Sequence, residues 1–197
     1  MKKNIFIIIF LIIGLTQNCF AYNSDPKQFI TEIVDEAKKI LVASNSKEFK
    51  EKKLEEIAKK TTDIKGIGMY TLGKYRKNLS DDQIKEYEIL FEKYFLKSFS
   101  SRLSDYSDPK IDVLSAETLS PKYTMVRSIL LSTKKKPALQ IDWRVYTKNP
   151  QKPLIRDLIV EGLSLARTQK EEFSSVIESN NGDINKLFSA LKEFIAK

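Results

Sequence analysis

The amino-acid sequence predicts an α+β protein in which antiparallel strands form a sheet with one apolar face covered by a helix. Segments in which apolar residues recur at helical spacing come first, strand-like segments follow together in the second half, and helical spacing returns at the end. The strand-like segments are separated by short turns rich in lysine, asparagine and proline. Such turns favour antiparallel hairpins.

The N-terminus has the order of a secretory signal. Two lysines precede an apolar run over residues 5–13, and a short polar stretch then ends at Ala21. A membrane-spanning helix needs about 18 or more apolar residues, and this run is shorter. We therefore expect residues 1–21 to be a cleaved signal peptide and residues 22–197 to act outside the cytoplasm. Cys19 leaves lipidation as an alternative, although the residues just before it are not the small ones that a lipoprotein peptidase needs.

The composition excludes several kinds of catalytic site. The chain has no histidine, and its one cysteine lies within the predicted signal peptide. The mature domain therefore lacks Ser-His-Asp triads, cysteine nucleophiles, disulfides and histidine-based metal sites. The formal net charge is +8, so the chain is basic. Because an exported protein rarely meets nucleic acid, and no motif for it is present, we expect anionic membrane surfaces or acidic proteins as partners.

Helical spacing predicts four helices before the strands and two after them. The clearest helix start is at Ser80. Its side chain can cap the helix, and the side chain of Gln83 can bond back to the N–H of Ser80 to complete a capping box. The helix that begins there carries five aromatic residues on one broad stripe, and we expect it to cover the apolar face of the sheet. The predicted helices are Asp25–Ala43, Ser46–Thr61, a short helix within Asp63–Tyr75 that ends at Gly73, Asp81 to the residue before Asp108, a helix that follows Gly162 and runs to Glu178, and a C-terminal helix capped by Asp183.

About four strands are predicted, and the third of them alternates cleanly between apolar and polar residues. The predicted strands are Lys110–Ala116, Tyr123–Thr133, Ala138–Lys148 and Leu154–Glu161. In the third, the apolar positions are Leu139, Ile141, Trp143 and Val145. Alternation of this kind is typical of a sheet with one buried face and one face in water.

Acidic residues lie on the polar positions of the last two strands. Asp142 and Arg144 share one strand, and Asp157 and Glu161 share the next. A pair of carboxyl groups there could act as general acid and base. The same residues can instead form a cross-strand ladder of ion pairs, each worth about 0.2–1 kcal/mol. Since no phosphate-binding loop, metal-ligand cluster or nucleophile elbow is present, we interpret them as a ladder and predict no catalytic residues and no metal.

Large aromatic side chains are abundant in the Asp63–Tyr75 segment, on the long helix and on the third strand. They are Tyr70, Tyr75, Phe91, Tyr94, Phe95, Phe99 and Trp143. A packed core accounts for them, and so does a pocket for a hydrophobic ligand. The pattern alone leaves both interpretations open.

Several motifs resemble those of the MlaC family of periplasmic phospholipid-binding proteins, also called the toluene-tolerance auxiliary component family. In order, they are Asp63–Ile67 with Thr71–Arg76; Phe91, Tyr94, Phe99, Arg102, Leu103 and Tyr106 on the long helix; Ile141–Val145; Asp157 with Val160–Ser164; and Phe173. The likeness covers essentially the whole mature chain. Leu154–Asp157 departs from the family's pattern, which often has an aromatic residue and Tyr-Asp at this place.

The resemblance implies a single antiparallel sheet wrapped by helices, related to nuclear-transport-factor-like folds, with a deep apolar pocket. The pocket would take both acyl chains of a glycerophospholipid and leave the headgroup near solvent. No enzyme activity is implied, and no cofactor besides the lipid cargo. The implied role is that of a monomer in the periplasm that carries lipid between an outer-membrane lipoprotein complex and an inner-membrane ABC transporter complex with an MCE-type subunit.

Two sets of residues follow as predictions. The predicted pocket lining is Tyr70, Phe91, Tyr94 and Phe99 on the helical side and Ile129, Leu131, Ile141, Trp143, Val145, Leu158 and Val160 on the strands. Lys74, Arg76 and Arg102 are predicted to meet lipid phosphate or acidic partners, with solvated charges or a structural ion pair as the alternative. Two other functions stay open: a periplasmic chaperone or adaptor that binds apolar protein segments, and an enzyme that acts on lipid or cell wall.

Overall fold

The structure, a computed structural model, describes residues 22–132 and 137–197. The predicted signal peptide lies outside the described residues, and so does part of the turn between the second and third strands. The helices are α1 (Pro26–Val42), α2 (Lys47–Thr61), α3 (Ile64–Thr71), α4 (Asp81–Ser104), α5 (Leu165–Glu178) and α6 (Ile184–Ala196), with a short 3-10 helix at Tyr75–Asn78. The strands are β1 (Ile111–Ser120), β2 (Tyr123–Leu130), β3 (Leu139–Tyr146), β4 (Leu154–Val160) and β5 (Leu163–Ser164).

Each described α-helix begins at a side chain that accepts a hydrogen bond from the first turn. At α4, Oγ of Ser80 accepts from the N–H of Gln83 at 3.2 Å, and Oε1 of Gln83 accepts from the N–H of Ser80 at 3.0 Å. The predicted capping box is thereby confirmed. The caps of the other helices are Asp25, Ser46, Asp63, Ser164 and Asp183.

The sheet is antiparallel, and each strand pairs with its neighbour in sequence, as predicted for hairpin connections. β1 runs on to Ser120, beyond its predicted end at Ala116. Ser120 pairs directly with Tyr123, so a two-residue turn joins β1 to β2. The sequence signal was weak beyond Ala116 because that part of β1 is mostly exposed and Leu119 is its one large apolar residue.

A short fifth strand replaces the predicted start of the next helix just after Gly162. Leu163 and Ser164 pair with the end of β4, and α5 begins only after them. The reversal uses Glu161 and Gly162, whose φ angles are +49° and +81°. Two consecutive positive φ angles suit a two-residue hairpin turn. Since glutamate rarely adopts a positive φ, the sequence did not reveal this turn.

One face of the sheet is covered by α1. Val126, Trp143 and Leu158 lie opposite one another on β2, β3 and β4 and therefore share a face, which we call the α1 face. The α1 residues in contact with it are Phe29, Ile30, Ile33 and Val34. The prediction that α4 covers this face is wrong, because α4 packs on α2, α3 and α6. Both helices carry apolar stripes, and spacing cannot tell which stripe meets the sheet.

The opposite face, which we call the polar face, carries Arg127, Asp142 and Ile159. At its β4 end, α3 and α5 pack against the sheet. A backbone bridge between Thr62 and Ile155 links the end of α2 to β4, and the N–H of Asp63 donates to the carbonyl of Ile155 at 2.9 Å. The start of α3 is therefore fixed to the sheet.

A second apolar cluster, which we call the helical cluster, lies among α3, α4, α5 and α6. At its centre Tyr87 is fully buried, and Phe91 is 2% exposed with its ring 5.7 Å from that of Tyr87. The hydroxyl of Tyr87 lies 2.8 Å from Oγ1 of Thr71, and burial raises the pKa of this hydroxyl above its usual value. Among the described helices none is long and apolar enough to cross a membrane.

Replacing Gly68 with alanine is expected to lower the free energy of unfolding by about 1–2 kcal/mol. A Cβ atom at Gly68 would lie 2.7 Å from Cδ1 of Phe91, whose ring is enclosed by the helical cluster. Overpacking of this kind costs about 1–3 kcal/mol, against a gain of up to about 1 kcal/mol from the better helix propensity of alanine. Urea denaturation of Gly68→Ala measures the net effect.

The control is the same substitution in a Phe91→Leu background, where the ring that would be struck is gone. There Gly68→Ala should cost less, and the difference between the two backgrounds measures the coupling of the two residues. A Gly68→Ala variant as stable as the parent would contradict the close approach of α3 and α4.

Candidate functional site

Five of the predicted strand residues lie together on the α1 face. Pairing across β3 and β4 places Ile141 opposite Val160 and Trp143 opposite Leu158. Val145 is fully buried, whereas the other four are half-buried. The indole N–H of Trp143 donates to Oγ of Ser128 at 2.9 Å, so the one polar atom of this large ring is satisfied within the face. The result is a patch of apolar side chains that α1 covers only in part.

Ile129 and Leu131 do not belong to this patch. Ile129 pairs with Gln140 and therefore points to the polar face. Leu131 lies just beyond the end of β2, where its N–H donates to the carbonyl of Lys110 at 2.8 Å. The prediction that Ile129 shares a face with Ile141 is therefore wrong. Leu131 is not part of a strand, so strand pairing does not assign it to either face. β2 carries apolar residues at both parities, so alternation could not select its buried side.

The predicted helical residues lie in a different part of the molecule. Phe91 and Tyr94 belong to the helical cluster, where the ring of Tyr94 is 5.8 Å from that of Phe173. Phe99 is half-buried and stacks on Phe95 at 6.0 Å. Tyr70 is 43% exposed. Phe91 and Tyr94 thus belong to one apolar cluster, whereas Trp143 and Val145 belong to another.

The predicted cations each make a different contact. Lys74 pairs with Glu178 at 3.0 Å, and Arg76 donates to the carbonyl of Met69 at 3.3 Å. Arg102 is exposed in the last turn of α4, and no described carboxylate pairs with it. Exposed pairs such as the one at Lys74 contribute about 0–1 kcal/mol. None of the three lines either of the two surface depressions described below, and their role in binding phosphate or a partner stays a prediction.

Arg156 is an organising residue that the sequence pattern did not single out. Its Nε donates to Oδ2 of Asp63 at 2.6 Å, its Nη1 donates to the hydroxyl of Tyr123 at 2.9 Å, and its guanidinium lies 3.9 Å from the ring centre of Tyr146. Asp63 in turn accepts from the N–H of Gly66 and caps α3. One side chain therefore ties β4, β2, β3 and α3 together.

The signal for Arg156 was the departure of Leu154–Asp157 from the family's pattern. A register shift between Arg144 and Val145 leaves Arg156 without a partner on β3. Such a bulge directs two successive side chains to one side of a sheet. Arg156 and Asp157 accordingly both project from the polar face, which strict alternation would not predict.

The predicted ladder of ion pairs is confirmed at one position. Nη1 of Arg144 lies 3.4 Å from Oδ2 of Asp157 on the neighbouring strand. Asp157 is 4% exposed and also accepts from Oγ of Ser164 at 2.6 Å and from the N–H of Ala166 at 3.0 Å. Glu161 accepts from the backbone N–H of Gln140. These carboxylates hold the start of α5 and the edge of the sheet in place.

Two surface depressions adjoin Tyr70. The α5 groove has a volume of about 590 Å³ and is lined by Tyr70, Arg167, Lys170, Glu171, Ser174, Ser175, Glu178 and Ser179. The α3 cleft, of about 440 Å³, lies between α3 and the polar face and is lined by Gly66, Ile67, Tyr70, Leu119, Ser120, Tyr123, Arg144, Arg156, Asp157 and Ala166. The α3 cleft combines two guanidinium groups with apolar walls, whereas the α5 groove is mainly polar.

Comparison with known proteins gives one family and one fold. The family model for MlaC protein matches residues 28–193. A phospholipid-binding protein from Ralstonia solanacearum, solved in complex with a phospholipid, superposes with a TM-score of 0.72 over 88% of this chain and 97% of that chain, at 17% sequence identity. None of the curated proteins compared matches this chain. At this level of identity the structural likeness shows the shared fold.

Proposed function

This chain belongs to the MlaC family, and from that membership we propose that it is a soluble periplasmic carrier of glycerophospholipid. The observation that carries the proposal is the match of nearly the whole mature domain to the family, joined to a shared fold with a protein that holds a phospholipid. We further propose that residues 1–21 are removed on export and that the carrier moves lipid between an outer-membrane lipoprotein complex and an inner-membrane ABC transporter complex.

The partly covered patch on the α1 face is the proposed place for the acyl chains. Trp143, Leu158 and Val160 are apolar yet only half-buried, whereas Val126 and Val145 on the same face are fully buried. Apolar side chains left partly open beside a packed core are typical of a surface that a hydrophobic ligand completes. Acyl chains that enter between α1 and the β3–β4 half of the sheet would bury these half-buried side chains.

The energetics suit a carrier. Burying a methylene group is worth about 0.8 kcal/mol, so two acyl chains of about sixteen carbons gain roughly 25 kcal/mol relative to water. A bilayer offers the same chains nearly the same gain. Exchange between membrane and protein is therefore close to isoenergetic, while release into water is prohibitive. Net direction must then come from the partner complexes.

Extraction of the purified mature protein with organic solvent is expected to release glycerophospholipid, identified by mass spectrometry. After delipidation the protein should take labelled phospholipid from vesicles. Val160→Lys places a charge in the proposed acyl site and should reduce uptake by at least about tenfold, since even about 1.4 kcal/mol of lost burial gives that factor. The control is Leu114→Lys at a 55% exposed position on β1, which should leave uptake unchanged.

The proposal is wrong if the wild-type protein neither retains phospholipid nor takes it from vesicles. Suppression of the aggregation of an unfolded outer-membrane protein, without bound lipid, would instead favour a chaperone or adaptor. A turnover of lipid or cell wall that is lost in Glu161→Gln would favour an enzyme.

A further inference from the structure

Two exposed leucines lie at the tip of the β4–β5 hairpin, residues 161–165, which we call the β4–β5 tip. Leu163 is 69% exposed, the highest value among the large apolar side chains of the described residues, and Leu165 is 44% exposed. Between them, Oγ of Ser164 donates to Oδ2 of Asp157 at 2.6 Å, so this hydroxyl is turned inward. Single apolar residues are ordinary on a protein surface, whereas two of them at one turn favour a contact site.

The β4–β5 tip is fixed to the sheet and projects from it. The N–H of Glu161 donates to the carbonyl of Gln140 on β3 at 3.1 Å, and the carboxylate of Glu161 accepts from the N–H of Gln140. A Cβ atom placed on Gly162 would have no heavy atom within 4 Å apart from its neighbours in the chain. Because the turn is held in this position, Leu163 cannot fold back onto the protein and stays presented to solvent.

Leu163 continues the proposed acyl site to the edge of the sheet. It pairs with Val160 on β4, and Val160 pairs with Ile141 on β3, so the three side chains form one row on the α1 face. Ile141 and Val160 are half-buried, and exposure is greatest at Leu163. An apolar path therefore leads from solvent to the place proposed for the acyl chains.

This path matters because acyl chains do not pass through free water. Exposing them to water costs as much free energy as burying them gains. A carrier that exchanges lipid with a bilayer therefore has to bring its acyl site against the bilayer. The β4–β5 tip lies at the end of the path, where leucine side chains can enter the boundary between headgroups and acyl chains.

A bilayer suits the β4–β5 tip better than a protein partner does. Specific protein interfaces bury about 1,200 Å² or more, and a narrow turn with two leucines supplies only a small part of that area. β5 has two residues, too few for a partner strand to pair along it. A bilayer needs no matching surface, because burial stabilises each inserted leucine separately. Arg167, exposed two residues beyond Leu165, adds a cation suited to anionic lipid.

We propose that the β4–β5 tip inserts Leu163 and Leu165 into the surface of a lipid bilayer, and that this contact brings the acyl site against the bilayer while lipid is exchanged. The purpose of the contact rests on the proposed function as a lipid carrier. The contact itself can be measured without any transfer of lipid.

The first experiment measures the contact with a fluorescent label. The mature domain contains no cysteine, so Leu163→Cys offers a single attachment site for an environment-sensitive dye. Its emission should shift to shorter wavelength when vesicles of phosphatidylethanolamine and phosphatidylglycerol are added, and should not shift with monomeric dihexanoyl-phosphatidylcholine. The matched control is Leu114→Cys, 55% exposed on β1 at the opposite edge of the sheet, whose dye should not respond to vesicles.

The second experiment measures lipid uptake by delipidated protein. Leu163→Ser should slow the uptake of labelled phospholipid from vesicles by about tenfold, the factor expected for the loss of one buried leucine. It should leave the binding of monomeric dihexanoyl-phosphatidylcholine unchanged, because this lipid reaches the acyl site through water. Leu165→Ser is an independent second variant and should also slow uptake from vesicles. Leu114→Ser should behave like the wild type with both lipids.

The other outcomes decide against the inference. Unchanged uptake from vesicles by both serine variants of the tip overturns it, and so does a dye on Leu163→Cys that does not respond to vesicles. Equal losses of vesicle uptake and short-chain binding also overturn it, since Leu163 would then belong to the acyl site. A dye response that needs no vesicles and grows with protein concentration would assign the tip to a contact between two copies of the chain.

Failure of the proposed function can be told apart from failure of this inference. A wild-type protein that binds neither lipid refutes the carrier function. The response of the dye on Leu163→Cys then decides separately whether the β4–β5 tip contacts a bilayer. A wild-type protein that takes lipid from vesicles equally well without Leu163 and Leu165 keeps the carrier function and loses the membrane contact.

Discussion

Replacing Asp157 with asparagine should lower the free energy of unfolding by about 3 kcal/mol. The carboxylate is 4% exposed and accepts from Ser164, from the N–H of Ala166 and from Arg144. An amide keeps one acceptor oxygen and turns an NH₂ group towards a donor, which leaves buried hydrogen-bonding groups unpaired. Loss of one member of a buried charged network costs about 3–5 kcal/mol. Urea denaturation followed by circular dichroism measures the change.

The matched control for Asp157→Asn is Asp105→Asn. Asp105 also forms an ion pair, with Lys47 at 2.8 Å, but both side chains are more than half exposed. Pairs of this kind contribute about 0–1 kcal/mol, so the control should stay close to the parent. If the two substitutions had equal effects, Asp157 would not be the anchor between β4 and α5.

Phe91→Ala should cost about 3–5 kcal/mol of unfolding free energy, the range for removing a fully buried aromatic side chain. Phe91 is 2% exposed, and its ring lies within 6.3 Å of the rings of Tyr87, Tyr94 and Phe173. The cavity left behind cannot close easily, since these rings hold one another in place. Thermal and urea denaturation both measure the loss.

This experiment also tests the predicted role of Phe91 in lipid binding. Phe49→Ala is the control, because Phe49 is 46% exposed and its truncation should change stability little. If Phe91→Ala instead lost less than about 1 kcal/mol while lipid uptake fell, the residue would line a ligand cavity and the core assignment would be wrong.

Local signals predicted local structure well. The capping box at Ser80 and Gln83 fixed the start of α4 because both partners lie within one turn of the chain. The alternation of β3 predicted its buried side, since polar and apolar residues there are cleanly separated and the strand lies in the middle of the sheet. In both cases residues close together in the sequence are enough to predict the structure.

Local sequence patterns did not predict which helix packs on the sheet or which face of the sheet some residues occupy. α1 and α4 both present apolar stripes, and only the packed structure shows that α1 meets the sheet while α4 meets other helices. Ile129 lies on a strand with apolar residues at both parities, so its face depends on the pairing with Gln140. Arg156 departs from strict alternation because of a bulge. Each of these outcomes depends on contacts between residues far apart in sequence.

The same uncertainty applied to the candidate site. Sequence spacing placed the aromatic residues of α4 and the apolar residues of β3 in one interface, because core and ligand pocket have the same composition. The structure separates them into two clusters and leaves the α1 face of β3 and β4 partly covered. Burial, which only the folded chain reveals, distinguishes Val145 from Val160.

The pairing of every strand with its neighbour in sequence has a consequence for how the chain reaches this fold. The turns of the sheet close short loops, which cost little chain entropy and form within microseconds. Contact between α1 and the first two strands instead closes a loop of well over fifty residues. The sheet can therefore assemble before α1 reaches it, and an early state would present the α1 face bare. In that state Val126 and Val145, buried in the final fold, would be exposed to other chains and to protein-folding factors.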